Sequence, residues 1–180
     1  ICFAGSFVLQ EAIALQEFIQ IFLKTDRRDI ELVLCGDGPA RSDYQELVQS
    51  DDRVRFTGFL NSQELQEELL SSHYGLLPYK PVSHFEYSYP NKFGEYLAFG
   101  LPIITSLDKG AVAKVIGLEG CGITYCYKDN ICVSDLINNL SVSRSHEMSD
   151  KCIALYNKSF NASIIYKNFI KEEFSLSKSS

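Results

Sequence analysis

The sequence predicts an α/β protein, a doubly wound parallel sheet of about six strands with helices on both faces. Three observations predict it. Short apolar runs alternate with stretches of helical period from residue 1 to about 126. The runs are rich in Ile, Val and Leu and show little polar alternation, as strands buried on both faces do. Gly or Pro stops the runs, and helix-length segments connect them, which is the spacing of βαβ crossovers and of a parallel sheet.

In order, Ile1–Ala4 reads as the first strand, broken by Gly5. Ala12–Lys24 carries Leu15, Phe18, Ile19 and Phe22 on one helical face. Glu31–Cys35 is a second strand, stopped by Gly36-Asp37-Gly38-Pro39, and a helix through Tyr44, Leu47 and Val48 follows. Val54–Thr57 is a third strand, ended by Gly58. Asn61 or Ser62 then caps a helix with Leu65, Leu69 and Leu70 inward; it reads as a cap alone, because Glu64 is not three residues after Ser62. Tyr74–Pro78 is a fourth strand and Tyr79–Tyr89 a polar, aromatic loop. Pro90 opens a helix through Leu97, a place that suits proline, and Gly100 ends it. Pro102–Thr105, a short helix Ala111–Ile116 and Gly122–Cys126 complete the alternation. From about Val133 the chain is helical and polar, with a final amphipathic helix through Ile165, Phe169, Ile170 and Phe174 and a frayed tail at Ser175–Ser180. The expected organisation is one domain over residues 1–160, a terminal helix over 161–174 and the tail over 175–180.

Composition narrows the function classes. The 17 basic and 23 acidic residues leave a formal charge of −6, which argues against a broad face for a nucleic-acid backbone. Cys2, Cys35, Cys121, Cys126, Cys132 and Cys152 form no C-x-x-C pair, and they read as reduced structural thiols. A metal held by Cys121, Cys126 and Cys132 is disfavoured, since no His lies at ligand spacing. No run approaches the roughly 18 apolar residues of a membrane span. The opening at Ile1 within a strand is expected of a piece of a longer protein.

In open parallel sheets, ligands bind beyond the carboxyl ends of the strands. The loops to search are therefore Gly5–Gln10, Gly36–Pro39, Gly58–Asn61, Tyr79–Asn91, Ser106–Gly110 and Tyr127–Asn130. Gly5-Ser6 precedes a helix, where a backbone can approach a phosphate; a plain tight turn is the bland alternative. Pro90-Asn91-Lys92 puts backbone N–H groups and a cation at a helix start, an anion site by dipole and charge. Glu95, one turn on, suits a bidentate hydrogen bond to a ribose diol, or is simply an exposed carboxylate. Tyr79, Tyr87 and Tyr89 can stack on a base or sugar, or pack their own loop. His73 reads as a structural cation at a helix end, His84 as a solvated loop residue and His146 as surface.

The segment PNKFGEYLAFGLPII resembles the PNK-x-F-E-Y-x-A-x-G-x-P segment of group 1 glycosyltransferases of the GT-B fold. ICFAGSF, ELVLCGDGP, VRFTGFL, YGLLPY and EGCGITY resemble that family's strands and glycine turns in the same order, over about residues 1–140. The resemblance is to the C-terminal, donor-binding, Rossmann-like half, so it implies a partner half that binds a glycan or lipid-linked acceptor. It implies that Glu95 holds the donor ribose, and that Asn91 and Lys92, opened by Pro90, meet the diphosphate. It further implies that Gly58-Phe59-Leu60 lies beside the base and that Gly5 and Ser6 lie near the phosphates. Three departures accompany it: Tyr87 stands where the family often has a glutamate, with Glu86 beside it as the candidate; Ser6 stands where arginine is common, followed by Gln10 and Glu11; and Phe93 and Gly94 are in exchanged order. Leaving-group stabilisation then falls on Lys92, the helix start, Lys80 or the other half.

The implied activity is transfer of a sugar, with retention, from a UDP- or GDP-linked donor, with Glu95, Lys92 and Glu86 at the chemistry. No cofactor is implied. No Asp-x-Asp occurs, which fits a metal-independent scheme. The expected setting is the bacterial cytoplasm, near the inner face of the membrane, in envelope polysaccharide synthesis. The terminal helix is expected to cross to the partner half. Two other readings stay open: a non-catalytic nucleotide-sugar-binding module, and a related sugar-nucleotide epimerase, which would need further carboxylates and His at the strand ends.

Overall fold

The computed structural model describes residues 1–9 and 12–165. Six strands form one sheet: β1 (Cys2–Ala4), β2 (Leu32–Cys35), β3 (Val54–Gly58), β4 (Gly75–Leu77), β5 (Ile103–Thr105) and β6 (Gly122–Thr124). All pairings are parallel, in the order β3-β2-β1-β4-β5-β6. The chain runs outward from β1 to β3, then returns to β4 and runs the other way. Between β1 and β4 lies the topological switch point, where such sheets open a crevice.

Side-chain alternation along the strands builds two cores. Phe3, Leu34, Leu76 and Ile104 face one layer, and Cys2, Ala4, Val33, Cys35, Leu77 and Ile103 face the other. The first layer is covered by α1 (Leu15–Phe22), α2 (Arg41–Val48) and α7 (Asn130–Asn138). The second is covered by α3 (Ser62–Ser71), α5 (Asn91–Ala98), α6 (Gly110–Glu119) and α8 (Val142–Ser159). All four residues of β2 are buried, as its unbroken apolar run predicts. A short helix, α4 (Ser83–Glu86), falls inside the segment read as loop.

Several boundaries differ from the sequence reading for physical reasons. α1 begins at Leu15, because residues 12–14 are drawn off to the loop after β4: the Ala14 amide donates to the Pro78 carbonyl and Ile13 bridges Tyr79. Just past its end the chain is held by the buried Arg53 guanidinium, which donates to Leu23, Thr25 and Arg27 carbonyl oxygens and pairs with Asp51 at 2.7 Å. Asn61, not Ser62, is the N-cap of α3, and Glu64 completes a full capping box by accepting from the Asn61 amide. Leu69 is turned inward and its neighbour Leu70 is left exposed. Pro90 is the N-cap rather than the first helical residue of α5, with ψ 144°. α6 runs on to Glu119 and stops at Gly120. His73 lies beyond the end of α3, where partial desolvation lowers its pKa; it is not a helix-end cation. Residues 162–165 are helical, while the rest of the expected terminal helix, and the expected tail, lie outside the described residues.

Candidate functional site at the carboxyl edge

The turns after β1, β2 and β3 and the start of α5 converge at one edge of the sheet. Backbone hydrogen bonds tie the turns together: the Gly5 amide donates to the Cys35 carbonyl at 3.0 Å and the Gly36 amide to the Gly58 carbonyl at 2.9 Å. The contact is close enough to require glycine at position 36. Its φ is +143°, and a Cβ there would stand 1.9 Å from the Gly5 carbonyl oxygen.

These turns enclose a cavity of about 260 Å³. Gly5 and Ser6 line it from β1, Cys35, Gly36 and Asp37 from β2, Phe59 and Leu60 from β3, Leu65 from α3 and Lys92 from α5. Four of the candidate residues, Gly5, Ser6, Phe59 and Lys92, are thus brought together, with Gly58 behind them through its hydrogen bond to Gly36. Phe59 is 84% exposed, an aromatic face held at the rim. The Gly38 amide, and then Arg41, hold the Asp37 carboxyl below its ordinary pKa. Cys2 and Cys35 stand 3.7 Å apart between sulfurs, and this contact, then burial, raises the Cys2 thiol pKa.

On the other side of the α5 start lies a recess of about 390 Å³, lined by Tyr89, Pro90, Asn91, Gly94 and Glu95, with Tyr156 and Phe160 from α8 and the residue after it. The two spaces meet at an ion pair between Lys92 Nζ and Glu95 Oε2, 2.5 Å apart at i,i+3 spacing. No side chain caps α5, so the N–H groups of its first turn face this edge with the helix dipole behind them.

The remaining candidates take other places. Tyr79 is half-buried and stacks on Phe85 with centroids 4.4 Å apart, and burial raises its pKa; it packs the loop rather than facing the crevice. Glu86 pairs with Lys109 at 2.8 Å and turns toward the β5–α6 loop. Tyr87 stands out at 84% exposure, and Tyr89 packs edge-on against Phe160. Lys80 is taken by Glu17 at 2.6 Å and sits over the Tyr127 ring, so it is turned to α1. Gln10 and Glu11 lie outside the described residues. Asp37 and Lys109 were not singled out as site residues from the sequence, although their strand-end loops were, and Leu65 was read only as an inward helix residue; nothing in their residue types distinguishes them from ordinary loop and helix positions.

A larger cavity, about 500 Å³, opens at the opposite, amino edge beside Arg27, Arg55, His73 and Tyr74. Its two arginines are occupied, Arg27 by Asp29 and by carbonyls at the end of α7, Arg55 by Glu31 and Glu68. The carboxyl-edge site offers what that cavity lacks: uncapped helix amides and glycine turns, with the exposed Phe59 ring at the rim.

A profile of the family described as "Glycosyl transferases group 1" matches residues 1–141. A Bacillus subtilis protein named as an uncharacterized glycosyltransferase, YqgM, is 28% identical over 134 residues, which are 72% of this chain and 32% of that protein. Among solved structures, the C-terminal domain of a group 1 glycosyl transferase (LpcC) of Francisella tularensis aligns with TM-score 0.69 at 18% identity, over 89% of this chain and 85% of that one. Anabaena HepE, solved in complex with UDP-glucose, aligns with TM-score 0.69 at 14% identity, over 96% of this chain and 48% of its own. The chain thus spans about a third of YqgM and about half of HepE. No helix among the described residues is long and apolar enough to cross a membrane.

Proposed function

Since this chain belongs to the group 1 glycosyl transferase family, we propose that it is the donor-binding half of an enzyme that transfers a sugar from a nucleoside diphosphate sugar to an acceptor held by a second half. The observation that carries the reading is the convergence of Gly5, Ser6, Phe59 and Lys92 in one cavity at the carboxyl edge, with Glu95 bonded to Lys92 beside it. Residues 1–160 form the donor unit in this proposal.

Each group then has a task. Phe59 and the Gly58–Leu60 turn take the base. Glu95 accepts from the two ribose hydroxyls. The α5 amides at Asn91 and Lys92, opened by Pro90, hold the diphosphate with the Gly5-Ser6 turn. In the free protein Lys92 is neutralised by Glu95. Donor entry exchanges partners: the diphosphate takes Lys92, and Glu95 is released to the ribose. As the bond from sugar to diphosphate breaks, negative charge grows on the leaving phosphate, where a fixed cation and helix dipole stabilise it without reorganisation. The Glu86–Tyr89 loop faces the sugar, with Lys109 fixing Glu86. Retention of configuration, independence from metal, a UDP or GDP donor, and a cytoplasmic setting serving a bacterial envelope glycan belong to this proposal through the family resemblance.

A second reading has its own observation. Ser6 and Tyr87 stand where the family often carries arginine and glutamate, which favours a binding module without turnover. Joining the chain to an acceptor-binding half and assaying transfer separates the two.

The direct test is calorimetric titration of the chain with UDP, GDP and ADP. We expect one of them to bind, and Glu95→Ala to weaken it by about tenfold or more, the loss of roughly 1.5–3 kcal/mol of charge-assisted hydrogen bonding. A folded chain that binds none of the three contradicts the donor-site reading.

A further inference from the structure

Tyr96 occupies a place that the sheet itself should fill. In a parallel pair, alternate amides of one strand donate to alternate carbonyls of its neighbour. The Cys2 amide of β1 donates to the Tyr74 carbonyl at 2.8 Å. Two residues on, the same ladder would take the Ala4 amide to the Leu76 carbonyl of β4. Instead the Tyr96 hydroxyl stands between them. It accepts from the Ala4 amide at 2.9 Å and donates to the Leu76 carbonyl at 3.4 Å, the weaker bond of the two. The register records the interruption. β1 pairs with β4 only at Cys2↔Gly75, whereas β1 with β2 and β4 with β5 each pair at three positions.

We infer that the Tyr96 hydroxyl is a wedge that parts β1 from β4 at the switch point and sets the Gly5-Ser6 turn against Lys92 for a nucleoside diphosphate. The inference rests on the donor-site reading above. Lys92 is one turn before Tyr96 on α5, and it lines the carboxyl-edge cavity together with Ala4, Gly5 and Ser6. One side chain therefore links the end of β1, the end of β4 and the helix that carries Lys92 and Glu95. The ring is wholly buried, and a Cβ on Gly75 would lie 2.5 Å from it, so β4 is built to admit it. Burial raises the hydroxyl pKa well above its ordinary value, which keeps the proton that the Leu76 bond needs. Tyr96 is a positioning residue in this account. It touches no donor atom.

The experiment compares Tyr96→Phe with Ile137→Ala, a core truncation in α7 far from the carboxyl edge, in the 180-residue chain. Both are expected to lower the melting temperature. Affinity for UDP, GDP and ADP is measured by calorimetry below both transitions, and backbone amide signals are followed by NMR. Tyr96→Phe is expected to weaken the nucleotide that binds by at least tenfold, to speed hydrogen exchange at the Ala4 amide, and to shift the Gly5, Ser6 and Lys92 signals together. Ile137→Ala is expected to leave affinity and those signals at wild-type values. Wild-type affinity in Tyr96→Phe overturns the wedge and leaves the donor reading standing, as does an equal loss in both variants. Wild-type protein that binds none of the three nucleotides overturns both.

Discussion

Lys92 and Glu95 neutralise each other in the free protein, at 2.5 Å and about one-quarter to one-third exposure. An ion pair of that exposure is worth at most about 1 kcal/mol, so a diphosphate can displace the carboxylate at little cost. Lys92→Met should therefore weaken a nucleoside diphosphate by about tenfold or more, the worth of a charge-assisted hydrogen bond, while leaving the nucleoside itself nearly unaffected. Competition binding with the two ligands checks this, and equal losses for both would place Lys92 away from the phosphates. Both residues were legible in the sequence, by the PNK segment and by a cation at a helix start. Their pairing with each other was not drawn from it, though i,i+3 spacing permits it. Tyr79 and Glu86 show the limit of such reading. A tyrosine in a loop can stack on a ligand or on its neighbour, and only the fold shows Phe85 beneath Tyr79 and Lys109 opposite Glu86.

At the scale of elements, the termini of helices hold the scaffold on which the site stands. Arg53 is 5% exposed, its guanidinium lies 4.9 Å over the Phe22 ring, and it donates to carbonyls just past α1 while Asp51 neutralises it. The Arg53 hydrogen bonds pull the Asp51 pKa down from 3.8 to about 2. Its folded pKa is depressed, so the stability it contributes is fully present above the unfolded value of about 4 and is lost as pH falls toward 2. Urea unfolding at stepped pH should show that loss between about pH 4 and 2, and Asp51→Asn should flatten its share of the slope. An unchanged slope in that variant would remove Asp51 from the acid transition. None of this clamp was legible in the string D-D-R, where a buried arginine looks like a surface one. Leu70 failed for a related reason. Leu69 is buried and Leu65, one turn before it, is half-buried, whereas Leu70 lies about 100° further round the helix and turns out to solvent.

At the scale of the whole molecule, alternating apolar runs and helical stretches were enough to read six parallel strands and to point to the carboxyl-end loops. Strand order was not readable from them, because any crossover length here could reach either side of the sheet. Yet the order β3-β2-β1-β4-β5-β6 decides which loops become neighbours, and so brings Gly5, Gly36, Phe59 and Lys92 to one cavity. The central claim is that a nucleoside diphosphate occupies that edge and not the larger cavity at the amino edge. Amide NMR mapping of the chain with the nucleotide that binds tests it most directly. The account predicts shifts confined to Gly5, Ser6, Gly58–Leu60 and Asn91–Glu95. Shifts centred instead on Arg27, His73 and Tyr74 would contradict it.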